Sequence, residues 1–189
     1  MIDFTQKKRI TVKIGSNILT DEDNRLDLNS LRHLVEEISF LKAQSKEMVV
    51  VSSGAIVCGV GALGINPRTL TDKQAAAAVG QVILMENYQQ FFARQGYWIS
   101  QILLTQDSLG DSRRGRLARN TFCRLIKLGV IPVVNENDTV SVDEIKFSDN
   151  DNLSVQVSRL IGADLHVFLT DQDGFLDRNP HQYREAELI

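Results

Sequence analysis

The sequence predicts an α/β fold, a three-layer α/β/α sandwich around a mainly parallel sheet, and three observations predict it. Short β-branched runs alternate with segments of helical periodicity along the whole chain. The runs are apolar at nearly every position, the pattern of strands buried on both faces. Each run ends at small, polar or acidic residues, which fits a parallel sheet whose carboxyl ends line a ligand crevice.

In chain order, RITVKI at residues 9–14 is a strand that stops at Gly15 and Ser16. Residues 28–44 carry Leu28, Leu31, Leu34, Val35, Ile38 and Leu41 at helical spacing, with Asp27 or Asn29 as the cap. A second strand, Met48 to Val51, runs into Ser52, Ser53 and Gly54, and a helix is expected behind them. A long helix starts at Thr71, passes four alanines and ends at Gly96. The strand ISQILLT at 99–105, an amphipathic helix around 116–128 and the strand VIPVV at 130–134 follow. A helix from about Leu153 and the strand LHVFLT at 165–170 complete the series. No repeat or Pro-, Gly- or Ser-rich linker interrupts it, so 1–189 reads as a single domain.

Composition narrows the function classes. A chain of 189 residues with 43% hydrophobic and 24% charged residues is an ordinary globular composition. A formal net charge of -3 gives no basic footprint for nucleic acid. No apolar run approaches the ~20 residues of a membrane helix, and MIDFTQKKR has no apolar segment behind its charges, so a cytoplasmic protein is expected. Cys58 and Cys123 lie far apart without metal-ligand spacing, which leaves two reduced, mostly buried thiols.

Several motifs carry chemistry. Gly59 to Gly64 reads GVGALG and matches a dinucleotide fingerprint by letter, but its first glycine comes well after the strand end and Asp72 is much too close for the ribose-binding acid. There is no Walker A loop. Lys13, beside Gly15 and Ser16, can instead bring a positive charge and backbone donors to an anion, or it is an ordinary surface lysine. Ser52, Ser53 and Gly54 set two hydroxyls and a glycine between a strand and a helix, where backbone donors are also open.

The most polar stretch is NENDTVSVDEIKFSDNDN at 135–152, which can be a solvated loop, a calcium cage or a substrate site. The calcium reading fails, because counting from Asp149 the fifth and sixth ligand positions fall on Leu153 and Ser154. Asn135 to Asp138 follow a strand and Asp149 to Asn152 precede a helix, with Val140, Val142, Ile145 and Phe147 between them to anchor a hairpin. Two such clusters form the walls of a pocket. Acids and amides suit an ammonium, while asparagine side chains and a helix N-terminus suit a carboxylate, and the two requirements together describe an amino acid.

The segments VKIGSNILT, VVVSSGAI, DKQAAAAVGQ, QILLTQDSL, GVIPVVNENDTVSVDEIKFSDNDNLS, ADLHVFLTDQDGFLDRNP and AELI run in order along essentially the whole chain. Through them the sequence resembles the glutamate 5-kinases of the amino-acid kinase family, including the kinase part of bifunctional pyrroline-carboxylate synthases. The resemblance implies the amino-acid kinase, or carbamate kinase-like, fold. It implies that Lys13, Gly15 and Ser16 face the nucleotide phosphates, with Lys13, Asp149 and Asp151 as the catalytic set. Ser53, Gly54, Asn135, Asp138 and Asn150 then bind substrate, and Thr170 and Asp171 belong to a nucleotide-binding turn. No protein metal ligand is assigned. The cofactors implied are ATP and Mg²⁺, and the partners are L-glutamate, ATP and proline as a feedback inhibitor, with a homo-oligomer expected and neither nucleic acid nor membrane.

The sequence departs from the family at Ser148, where glycine is usual, and at Asn17, where serine or threonine is common. The family's glycine-rich loop with a second phosphate-binding lysine, and the PUA domain of some members, come after the AELI segment, so the domain is expected to be C-terminally incomplete. The implied reaction is ATP-dependent phosphorylation of the side-chain carboxylate of L-glutamate, the first step of proline synthesis. That carboxylate is ionised at neutral pH and needs no general base, so His33, His166 and His181 read as bystanders. Two other readings stay open: a non-catalytic module that binds glutamate or proline, and a sister kinase acting on another carboxylate or phosphate.

Overall fold

Five of the apolar runs pair as a parallel sheet in the order β3-β4-β2-β1-β5. The structure, a computed structural model, describes residues 3–21, 25–110, 112–140, 149–171, 174, 176–178, 183 and 185–189. The strands are β1 (Arg9–Ile14), β2 (Glu47–Val51), β3 (Ile99–Leu104), β4 (Ile131–Glu136) and β5 (Leu165–Leu169). The helices are α1 (Leu28–Ala43), α2 (Ala55–Leu63), α3 (Leu70–Arg94), α4 (Gln106–Gly110), α5 (Ser112–Lys127) and α6 (Asp149–Ile161). The predicted α/β sandwich is therefore present, and α4 is an element that the periodicity did not reveal.

Strand alternation divides the core between the two faces of the sheet. Ile10, Val12, Ile14, Met48, Val50, Ile131 and Val133 join α1, α2 and α3 through Leu31, Val35, Ala55, Leu84, Tyr88 and Phe92. Val49, Val51, Leu104 and Val134 face the other way, onto Phe122 and Ile126 of α5 and Leu153, Val157 and Ile161 of α6. Fully burying each of these side chains contributes about 1.5–3 kcal/mol, so the two clusters together fix the layers.

Helix starts follow local chemistry. Asp27 caps α1 by accepting from the Asn29 and Ser30 amides at 2.9 and 3.2 Å. Thr69 and Asp72 form a reciprocal capping box on α3. α2 packs across α3 at two glycines: a Cβ on Gly59 would lie 1.8 Å from the Ala76 carbonyl oxygen, and one on Gly80 1.7 Å from that of Ala55. Gly59 and Gly61 therefore lie inside α2, and Gly64 ends it with φ 62°. Within the pattern Gly59 serves the helix crossing and Gly64 the helix end, and no phosphate loop is formed.

Two boundaries differ from expectation, and both bear on the polar stretch. β4 continues through Asn135 and Glu136, which are buried, because Leu103 and Leu104 of β3 extend the ladder opposite them. α6 begins at Asp149 rather than near Leu153, so the DNDN cluster is its first turn. Short polar side chains favour helix starts, and that preference outweighs their poor propensity within helices. The expected hairpin falls on 141–148, outside the described residues; Val140 is exposed in the turn before it.

Candidate functional site

All five strands point one way, so their carboxyl ends share one edge of the sheet. The chain leaves β1 toward α1 on one face, while β4 reaches β5 through α6 on the other. The starts of α2 and α6 therefore meet the same edge, where a parallel sheet changes direction and opens a crevice.

Lys13 shares the α6-facing side of β1 with Thr11, opposite to Ile10, Val12 and Ile14. Its side chain is nearly enclosed, and Nζ lies 2.5 Å from Oδ1 of Asp151 in α6. Gly15 follows, its N–H donating to the Leu169 carbonyl at 3.0 Å. A Cβ there would lie 3.3 Å from that oxygen and 3.6 Å from Lys13 Nζ, so glycine keeps the backbone open beside the ammonium. Ser16 begins a single 3-10 turn. Asn17 in that turn donates to Asp171 Oδ2 at 2.9 Å, and Thr170 Oγ1 donates to Asp171 Oδ1 at 3.3 Å. The turns after β1 and β5 are thus tied together.

A second group forms around Asn150. Its Nδ2 lies 2.9 Å from the Ser52 carbonyl, 2.9 Å from Ser53 Oγ and 3.0 Å from Asn135 Oδ1. Asn135 Oδ1 also accepts from the Glu136 amide at 2.9 Å. One asparagine side chain in the first turn of α6 thereby joins the ends of β2 and β4. Asn150 Oδ1 is enclosed and has no hydrogen-bond partner. Gly54 stands at the N-cap of α2 with φ 96° and ψ 0°, a left-handed conformation that disfavours side chains, and no side chain caps the helix. The first N–H groups of α2 are consequently open toward the edge.

Asp138 lies in the turn after β4, half-buried, and burial pushes its carboxyl up to about 6. Loss of hydration disfavours the anion, and a cation brought beside it would reverse the effect. Asp149 opens α6. Every residue expected at the site therefore lies on the carboxyl edge or in a turn or helix start beside it. An ion pair connects Lys13 to Asp151, and hydrogen bonds connect Asn150 to Ser53 and to Asn135.

Two contributors, Asn17 and Tyr88, escaped the sequence reading. Asn17 links the two turns. Tyr88 of α3 is fully buried, and its hydroxyl lies 2.9 Å from Ser52 Oγ, which fixes the β2 turn from beneath; burial raises its phenol above the ordinary value. Its place in an otherwise apolar helical stripe was the available signal. His166 is on the Lys13 side of the sheet, whereas His33 is exposed on α1 and His181 lies outside the described residues. Cys58 is buried, which pushes its thiol up to about 11, and Cys123 is half-buried. No described helix is long and apolar enough to cross a membrane. Among the described residues, no three acidic, histidine or cysteine side chains gather as a metal-binding group.

The sequence pattern of the amino acid kinase family matches residues 8–189. A glutamate 5-kinase from Geobacter metallireducens is 50% identical over 184 residues, which are 96% of this chain and 49% of that protein. A glutamate 5-kinase from Clostridium acetobutylicum is 45% identical over 183 residues, 96% of this chain and 68% of that one. The chain spans about half the length of the Geobacter protein, 49%, and of a Pelobacter propionicus glutamate 5-kinase, 50%. Among solved structures, an isopentenyl phosphate kinase from T. acidophilum matches with a TM-score of 0.61 at 18% identity, covering 95% of this chain and 77% of its own. The UMP kinase from Bacillus anthracis matches with a TM-score of 0.60 at 15% identity, covering 96% and 72%. At such identities the solved structures bear on the fold alone.

Proposed function

This chain belongs to the amino acid kinase family, and on that premise we propose that it forms the glutamate-binding wall and one phosphate-facing wall of a glutamate 5-kinase. The observation that carries the reading is Asn150, whose amide joins Ser53 and Asn135 on the edge that also holds Asp138 and Lys13. Relatives 45–50% identical over nearly the whole chain bear the glutamate 5-kinase name, which supports it.

In this reading Asp138 accepts the α-ammonium of L-glutamate. Ser53, Asn135 and Asn150 fix the substrate's oxygens, with the α2 N-terminus at Gly54 supplying backbone donors. The side-chain carboxylate, with an ordinary pKa of ~4.3, is already the nucleophile. Its oxygen forms a bond to the γ-phosphorus of ATP as the bond from that phosphorus to the β–γ bridging oxygen breaks. ADP departs and no proton is removed. The difficulty is repulsion between two anions, so positioning and charge neutralisation dominate. Lys13 is the cation at the junction, Asp151 orients it, and Gly15 and Ser16 offer donors to the phosphates. Asp149 stands beside them at the start of α6, and Thr170 and Asp171 flank the nucleotide.

ATP enters as its magnesium complex. Mg²⁺ commonly takes one or two carboxylates and completes its shell with phosphate oxygens and water. When bound it offsets phosphate charge.

Two assays on the 189-residue chain test the proposal. Titration calorimetry should show binding of L-glutamate and none of N-acetylglutamate, which lacks the ammonium. Hydroxylamine trapping should detect an acyl phosphate that requires both ATP and glutamate. Binding without trapped product would favour a glutamate-sensing module, and acceptance of the acetylated substrate would favour a sister kinase.

A further inference from the structure

On the α6-facing side of the sheet, β1 supplies Thr11 and Lys13, and β5 supplies His166 and Phe168. The parallel register sets Thr11 directly beside His166 and Lys13 directly beside Phe168. Adjacent strands lie about 4.8 Å apart, so these four side chains form one contiguous group. His166 stacks on Phe168, ring centroids 4.2 Å apart at 30°. This fixes the imidazole against its own strand. Its Nε2 is enclosed and has no hydrogen-bond partner, and neither has the neighbouring Thr11 Oγ1.

The charged groups whose fields reach this imidazole are those of the candidate site. Asp151 of α6 favours its protonation and Lys13 of β1 opposes it, while burial, the larger effect, lowers its pKa from the ordinary 6.5. Arg9, the other cation on this side of β1, is held at the far end by Glu47 and the Ile161 carbonyl. A second proton on His166 would therefore stand next to a closed Lys13–Asp151 pair, attracting one member and repelling the other.

We propose that His166 is a positioning residue for Lys13. As the neutral imidazole it leaves the Lys13–Asp151 pair closed. As the imidazolium it competes for the Asp151 carboxylate, repels the ammonium and withdraws Lys13 from the phosphate edge. The functional half of the proposal rests on the reading of Lys13 as the phosphate-facing cation. The electrostatic half rests only on the pair and the strand register.

Two measurements on the 189-residue chain separate these halves. Imidazole NMR titration from about pH 5 to about 8 follows His166 directly, with the resonance assigned by its loss in His166→Gln. Asp151→Asn should move the His166 transition to lower pH and Lys13→Gln should move it to higher pH. Opposite displacements are the signature of coupling to both members of the pair. An unchanged transition in both variants, or displacement in the same direction, overturns the proposal. A merely structural histidine would give one of those results.

The second measurement is MgADP affinity against pH, which needs no turnover. The wild-type chain should lose about tenfold more affinity between about pH 8 and the acid end of the His166 transition seen by NMR than His166→Gln does, about 1.4 kcal/mol of coupling. Equal losses overturn the functional half even if the titration shows coupling. Absence of MgADP binding at the higher pH refutes the nucleotide-facing reading of Lys13 and the functional half with it, while the titration still decides whether His166 and the pair are coupled.

Discussion

Asp138 sits half-buried in the turn that leaves β4, and its carboxyl pKa is raised from 3.8 to about 6 by burial. A carboxylate with a raised pKa binds more protons in the folded chain than in the unfolded one between pH 3.8 and about 6. By linkage its contribution to stability falls as pH rises through that window and stays low above it. A shift of about two units corresponds to on the order of 3 kcal/mol. Asp138→Asn removes the charge at nearly constant volume, so urea unfolding at neutral pH should show a gain of about 1–3 kcal/mol. Calorimetry of the same variant should show glutamate affinity falling severely, and in the wild type that affinity should weaken below about pH 6, as the carboxylate is protonated. In the proposed reading Lys13 is the complementary case, a cation needed most when charge develops on the transferring phosphoryl group. In a chain that turns over, Lys13→Ala should lower kcat on the order of 100-fold with a smaller change in the KM for glutamate, read from steady-state hydroxamate formation.

At the scale of elements, the crossing of α2 and α3 decides where the Gly54 turn stands. Gly59 and Gly80 allow the helix backbones to approach so closely that a methyl group at either would overlap a carbonyl of the other helix. Alanine is a better helix former than glycine by about 1 kcal/mol, but the obstacle here is backbone and has no rotamer in which to yield. Gly59→Ala should therefore destabilise the chain by more than about 3 kcal/mol in urea unfolding. Gly61 is in the same helix, exposed, and a methyl group there would meet nothing within 4 Å. Gly61→Ala should stabilise by up to about 1 kcal/mol, and the contrast isolates the crossing from helix propensity. The sequence could not distinguish these glycines, because local spacing shows three in one short segment and says nothing about which meets another backbone. It did locate the helix of Leu31, Val35 and Ile38, whose apolar spacing is a property of that element alone. The boundaries at Asn135 and Asp149 were missed for the same kind of reason: a ladder partner in β3 extends one element, and a helix start absorbs the polar residues of the other.

Across the whole molecule, strand order rather than residue type brings the candidate site together. The sequence revealed which strands exist and that small, polar or acidic residues follow each, and it singled out Lys13, Ser53, Asp138 and Asn150. It did not reveal that β2 lies between β1 and β4, the arrangement that lets α6 reach Lys13 with Asp151 and Ser53 with Asn150. That order makes a prediction about local stability. β1, β2 and β4 are the strands most completely enclosed, while β5, at one end of the sheet, keeps partly open side chains along its length. Amide hydrogen exchange should be slowest in Val49 to Val51 and Val133 to Val134, and faster in β5, because edge backbone opens without breaking the central ladder. Adding L-glutamate and MgATP should slow exchange in the segments that meet the carboxyl edge, at Ser53 to Cys58 and Asn150 to Ser154. The opposite edge, where Arg9 pairs with Glu47, should be unaffected. Protection spread evenly over both edges would mean that ligands stabilise the fold as a whole, and protection confined to the Arg9 edge would place the binding site at the wrong end of the sheet. Protection confined to the carboxyl edge is the outcome expected if two anions meet where α2 and α6 begin.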